Sequence, residues 1–99
     1  MVTEFVNLKP LATTTEEQLI SAIDNLVKNF WNTQDCFVDA ELLKSIEQNE
    51  LTLVFHFESM EKVKISGQKM RQTEEFAQFI SLLVPDSLSV IFNNSLRKW

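Results

Sequence analysis

An α+β chain of element order βαββαβ is what these 99 residues predict. Three observations carry that expectation. Apolar residues alternate with period two in four short stretches, they recur at helical spacing in two longer ones, and each long stretch separates two strand-like ones. A single glycine and two prolines leave little room for long loops. At 44% hydrophobic and 23% charged, the composition is that of one soluble folded domain over residues 1–99.

The first strand is Val2 to Leu8, where β-branched and aromatic residues nearly alternate before Pro10. "TTTEEQ" follows. Thr13, Thr14 and Thr15 each precede an acid or amide three residues on, so a capping box can form in any of three registers. Behind it Leu19, Ile20, Ile23, Leu26, Val27, Phe30 and Trp31 form a helical stripe of about five turns. "NTQD" interrupts the pattern. "CFVDAELLK" reads as the second strand and "LTLVFHFES" as the third, joined through "SIEQNE" as an antiparallel hairpin. Ser59 can cap a short helix through "MEKVKIS" that Gly67 ends, with "QKMRQ" as a linker. Thr73 caps a second long helix with Phe76, Phe79, Ile80 and Leu83 inward, stopped at Val84 by Pro85. "SLSVIFNN" is the fourth strand and "SLRKW" a tail.

Right-handed crossovers interleave two such split units into a four-stranded antiparallel sheet ordered 4-1-3-2, with both helices on one face. This is the ferredoxin-like arrangement. Two helices cover one face only, yet the strands carry apolar residues to both. The third strand offers Leu51, Leu53, Phe55 and Phe57 to one side and Thr52, Val54 and His56 to the other. The bulkier set suits the wider space under the helices. The second strand offers Phe37 and Leu43 against Val38, Ala40 and Leu42, and the fourth Leu88, Val90 and Phe92 against Ile91. An open face of that kind calls for a cover, either a second copy of the chain or a ligand.

The segments "EFVNLKP", "TTEEQLISAIDNLVKNF", "QDCFVDAELLK" and "LVFHFESMEKVK" resemble, in order and spacing, the dimeric α+β barrel superfamily. That superfamily includes antibiotic-biosynthesis monooxygenase-like and stress-responsive barrel proteins. "FESME", closing the third strand before a short helix, is the most telling piece. The resemblance spans nearly the whole chain and rests on hydrophobic patterns, so it speaks to fold far more than to chemistry. It implies a homodimer packed sheet to sheet, with a cavity between sheet and helices in each subunit. Many relatives carry glycine where this chain has Cys36, so the turn there must do without a positive φ.

Candidate residues follow from both readings. His56 is the only histidine; it can serve as a half-buried strand residue at the dimer interface, as a ligand contact, or as a proton carrier. The alternation places it with Val54 on the open face, partnered by a polar group from the first strand or the other subunit, and burial there would favour the neutral ring. Asn7 is either a strand-end amide or a ligand contact, since the haem-degrading members of the resembled superfamily carry an asparagine at a similar place in the first strand, pointing into the cavity. Trp31 belongs to the core or to the cavity wall. Trp99 is expected against a partner subunit, so Val54, His56 and Trp99 are the interface candidates. No catalytic residue is assigned. Glu58 and Glu61 read as solvated charges near a helix N-terminus.

Exclusions are as informative. A lone Cys36 and a lone His56 build neither an internal disulfide nor a metal site, and Cys36 beside Phe37 reads as a small buried hydrophobe. Haem-degrading relatives need a tryptophan in the short helix and a histidine in the second long one. "KVKISGQ" and "EEFAQFI" supply neither, so no haem, metal or other cofactor is expected. A net charge of −5 and the lack of a basic-glycine-aromatic pattern argue against nucleic acid. No apolar run spans a membrane and no basic-then-apolar leader opens the chain, which makes the cytoplasm the expected location. The expected partners are a second copy and a small organic ligand. The function that the resemblance implies is a small-molecule-binding barrel protein acting as a cofactor-independent monooxygenase or isomerase. Its alternative is a non-catalytic stress or assembly protein whose barrel is only a dimer interface. An open pocket favours the first and a space packed with aromatic rings the second.

Overall fold

The computed structural model describes residues 1–99. β1 (Val2–Leu8) leads into α1 (Glu16–Asn29), then β2 (Phe37–Lys44) and β3 (Leu51–Phe57) form a hairpin. α2 (Met60–Met70), α3 (Glu74–Ser81) and β4 (Ser89–Asn94) complete the chain. The sheet order β2-β3-β1-β4 is the expected 4-1-3-2 order read from the opposite edge, and all three strand pairs are antiparallel. The helices lie on one face of the sheet. Their apolar sides meet Val2, Val6, Leu8, Leu51, Leu53, Phe55 and Phe57 in a single core.

Local chemistry sets most boundaries. Of the three possible capping boxes the molecule uses Thr15 with Gln18. The Gln18 amide donates to Thr15 Oγ1 at 3.1 Å and the Thr15 amide donates to Gln18 Oε1 at 2.9 Å. Ser59 and Thr73 cap α2 and α3 as expected. The β2–β3 turn closes through the Ser45 amide to the Glu50 carbonyl, with Asn49 at φ 60°. Asparagine tolerates that left-handed conformation better than most residues. Cys36 is absent from the positive-φ residues, so the turn into β2 does without glycine. Its thiol is buried 3.7 Å from Ser66 Oγ, and that hydroxyl donates to Gln34 Oε1 at 2.8 Å. These contacts tie α2 to the loop before β2.

Four details depart from the sequence expectation. The stripe ending at Trp31 is not one helix, because α1 closes at Asn29 and Trp31–Thr33 form a separate 3-10 turn. α3 ends at Ser81 rather than Val84. The Leu82 carbonyl accepts from the Leu11 amide and from Thr14 Oγ1, and the Val84 amide donates to the Lys9 carbonyl. The segment before Pro85 is therefore stitched to the end of β1.

A bulge between Phe37 and Asp39 changes which face β2 presents. Phe37 pairs with Phe57, but the next rung is Asp39 with His56. From there Ala40 and Leu42 point to the core and Leu43 points away. Phe37 and Leu43, expected on one side, thus lie on opposite ones.

Gly67, finally, does not end α2. The helix runs through it to Met70 with no positive φ, because a glycine stops a helix only where something beyond it favours the left-handed turn. A Cβ added there would have nothing within 4 Å. Gly67→Ala is accordingly expected to stabilise the protein by about 1 kcal/mol, the difference in helix propensity, read as a raised urea midpoint with unchanged slope.

Candidate functional site

Between α2 and the sheet lies an open cavity of about 420 Å³, within the size range of small-molecule sites. Its floor is the helix-facing side of β1, β3 and β4. Its far wall is α2 with its C-cap, which together turn Met60, Lys64, Gly67 and the C-cap Arg71 toward it at helical spacing. Phe76 and Phe79 of α3 and Leu26 of α1 close one end, and Trp31 stands at the back. The rim toward the edge strand carries Val90 and Phe92, 42% and 40% exposed.

One carboxyl group reaches this apolar space. Period-two alternation along β1 sends Val2, Val6 and Leu8 under the helices, and Glu4 shares their parity. Across the ladders Glu4 faces Phe55 on one side and Phe92 on the other. Burial among them pushes the Glu4 carboxyl from 4.5 up to about 7, although the Arg71 guanidinium pulls it down. The charged residues lining the cavity besides Glu4 are Lys64 and Arg71. The ion pairs of the chain are Lys44–Glu16 and His56–Asp39, so Glu4 and Arg71 are not in contact. Both line the same cavity, and no ion pair within 4.0 Å joins them.

Trp31 adds a second polar feature. Its ring packs 5.0 Å from that of Phe57 and 5.7 Å from that of Phe55, while its indole Nε1–H is buried with no acceptor. A buried donor without a partner is uncommon and carries a desolvation cost.

The residues expected at a site from the sequence divide between two places. Trp31 lines the cavity. Asn7 and His56 do not, because both have the opposite parity and stand on the sheet face that no helix covers. Asn7 Oδ1 accepts from Thr52 Oγ1 at 3.1 Å. His56 has a partner from β2 rather than β1, since the bulge sets Asp39 opposite it. A carboxylate only accepts, so His56 Nδ1–H donates to Asp39 Oδ1 at 2.6 Å. In the single chain the His56 side chain is 36% exposed, not enclosed. Val54 on the same face is buried, with Phe5 and Glu41 as its cross-strand neighbours. Trp99 is 98% exposed.

Glu4, Lys64 and Arg71 were not sequence candidates. Glu4 was legible as an acid at the same parity as Val2, Val6 and Leu8. Arg71 was not, because its helix was expected to stop at Gly67. Nowhere do three His, Cys, Asp or Glu side chains gather as a metal-ligand cluster. No helix is long and apolar enough to cross a membrane.

Neither a protein-family model nor a curated protein matches the sequence. Solved structures do match in shape. SnoaB, a cofactor-independent oxygenase from Streptomyces nogalater, superposes with a TM-score of 0.80 at 11% identity, over 98% of this chain and 94% of its own. A Caulobacter crescentus protein described as an antibiotic biosynthesis monooxygenase gives 0.73 at 13% identity, over 97% and 90%. An Arabidopsis thaliana protein gives 0.70 at 21% identity, over 100% and 99%. At such identities the likeness speaks to architecture, and the strand order, the helices on one face and the near-complete coverage all agree with it. The chain therefore has a ferredoxin-like α+β fold, shared with these solved structures.

Proposed function

We propose that this chain is a small-molecule-binding barrel protein that works as a homodimer and acts, without metal or organic cofactor, as an oxygenase or isomerase on an apolar organic ligand. The observation that carries the reading is the open cavity of about 420 Å³ with an ionisable carboxyl group inside it. A scaffold that needed only a dimer interface would gain stability by filling that space with side chains. The likeness in shape to a cofactor-independent oxygenase supports the class of chemistry. The donor set agrees with it, since one carboxyl, one guanidinium and one ammonium group offer acid–base and anion-holding chemistry.

Dimerisation is supported by the uncovered sheet face. Phe5, Leu43 and Ile91 stand there 40%, 45% and 53% exposed. Fully enclosing a side chain of this size is worth roughly 1.5–3 kcal/mol, so covering the part still exposed here is worth about half of that each. Asn7, His56 and Trp99 then belong to the interface rather than to the ligand. Placement in the cytoplasm is part of the same proposal.

Native mass spectrometry of protein purified from its own host tests both parts. A two-chain assembly carrying a co-purifying organic molecule is the expected result. A well-formed dimer that is always empty would favour the non-catalytic assembly protein. A folded monomer at micromolar concentration would remove the dimer.

A further inference from the structure

The cavity holds more than shape. Its polar groups are few, they come from different elements, and they converge. Glu4 rises from the floor on β1, while Lys64 of α2 and Arg71, the C-cap two turns further on, line the roof. The other elements packed around Glu4 present no charge to it. β3 and β4 offer Phe55 and Phe92, α3 offers Phe76 and Phe79, and α1 offers Leu26. The two cations are thus the only charged groups positioned to compensate an anion formed in the cavity.

Were Glu4 and Arg71 a structural pair, the carboxylate and guanidinium would close on each other, since an uncompensated charge in an apolar space is costly. They form no such pair, and both line the cavity. An apolar ligand entering past Val90 and Phe92 would lie on the sheet with one edge toward Glu4 and the other toward α2. The chemistry that such a pairing serves is proton removal next to a carbonyl group. A carboxylate takes the proton, and the charge left behind collects on an oxygen that the cations hold.

We propose that Glu4 is the proton-transfer group of this cavity, acting on a planar, largely apolar carbonyl compound or phenol whose developing oxyanion is held by Arg71 and Lys64. In the carbonyl case the C–H bond next to the carbonyl breaks and an O–H bond forms on Glu4. The C–H electron pair becomes the new carbon–carbon π bond, and the former carbonyl pair rests on oxygen as the enolate. Where a second carbon–carbon double bond is conjugated with the enolate, the proton returns from Glu4 to the far carbon of that dienolate. This restores the carbonyl and shifts the double bond, giving an isomer, so the cycle balances with no oxidant, reductant or co-substrate. Arg71 has a second task. Its positive charge opposes the desolvation that raises the Glu4 carboxyl, and so keeps part of that group ionised near neutral pH. This assignment rests on the cavity being a ligand site.

The test separates the two ideas. Nitrobenzisoxazole is a neutral planar probe that opens when a base removes the C–H proton of its isoxazole ring, the N–O bond breaking as the nitrile forms, to give a coloured cyanonitrophenolate. Anilinonaphthalene sulfonate is an apolar anion that reports cavity binding by fluorescence. The wild-type protein should open the first probe with a rate that rises with pH through about 7. Glu4→Gln should lower that rate about 100-fold or more while dye binding persists. Glu4→Asp should keep the pH-dependent rise at reduced rate. Arg71→Met should move the midpoint of the profile upward, which a merely structural arginine would not do.

If dye binding is abolished by Gly67→Phe, or by competition with nitrobenzisoxazole, while Glu4→Gln opens the probe as fast as wild type, the ligand site stands and the role of Glu4 is overturned. If neither Gly67→Phe nor competition affects the dye, the cavity is not a binding site and both proposals fall.

Discussion

Phe57→Ala is expected to cost about 3–5 kcal/mol of folding stability. Phe57 is the most enclosed large side chain in the molecule, with no exposed surface at all. Its ring stacks on Phe55 at 5.5 Å and meets Trp31 at 5.0 Å and Phe37 at 6.2 Å. Those four rings come from β3, the 3-10 turn after α1, and β2, so the void would open where three separate segments meet. None of them can collapse into it without breaking a ladder. β3 is fixed on both sides by β1 and β2, and the Trp31 turn is held by the Thr33 hydroxyl bonded to the Phe30 carbonyl at 2.6 Å. Against a total stability of about 5–15 kcal/mol for a domain of this kind, the loss would be large. Urea unfolding at fixed protein concentration checks it. A loss below about 1 kcal/mol would mean that the cluster relaxes into the space.

The aromatic cluster also shows how far the sequence reaches. Strict alternation in "LTLVFHF" places Leu51, Leu53, Phe55 and Phe57 on the helix side without any structure, and the molecule agrees. Strand order, the Ser59 and Thr73 caps and the three-threonine window that holds the α1 cap follow from similarly short signals. What escaped needs information that is not local. The β2 bulge turns on one extra residue, and "FVDAELLK" contains no glycine to mark it, so alternation alone puts Leu43 on the wrong face. Gly67 looks like a stop, but whether a glycine ends a helix depends on what the chain does afterwards. Losing the last turn of α2 removed Arg71 from the cavity. The end of α3 depends on hydrogen bonds to residues about seventy positions earlier in the chain.

The site follows the same division. Trp31 was within reach of periodicity. Glu4 was too, because an acid between Val2 and Val6 on the buried face of a strand needs a reason. Asn7 went the other way. The family resemblance draws an asparagine of the first strand toward the cavity, while its parity with Phe5 sets it on the uncovered face. The parity argument is the stronger, because a strand cannot turn one side chain through the sheet without a bulge, and β1 has none.

Glu4→Gln should make the protein more stable at pH 8 and nearly unchanged at pH 4.5. The folded carboxyl titrates at about 7 against 4.5 for the free group, so the fold prefers its neutral form. The stability that Glu4 contributes is fully present below about 4.5 and is lost as pH rises through about 7. Above that range the folded molecule holds an anion in an apolar cavity, with Lys64 and Arg71 opposite but not in contact. A shift of this size, discounted for the water that an open cavity admits, corresponds to about 2–3 kcal/mol. Glutamine has nearly the same shape and does not titrate, so Glu4→Gln should recover that amount at pH 8 and gain almost nothing in acid. Urea unfolding of both proteins at the two pH values, at equal concentration, reads the difference directly. A gain that is the same at both pH values would show that Glu4 titrates in the ordinary carboxylate range, and would leave no strained anion in the cavity. A gain confined to high pH would mean that the fold retains a destabilising group at its cavity floor, as binding and catalytic sites do when function opposes stability.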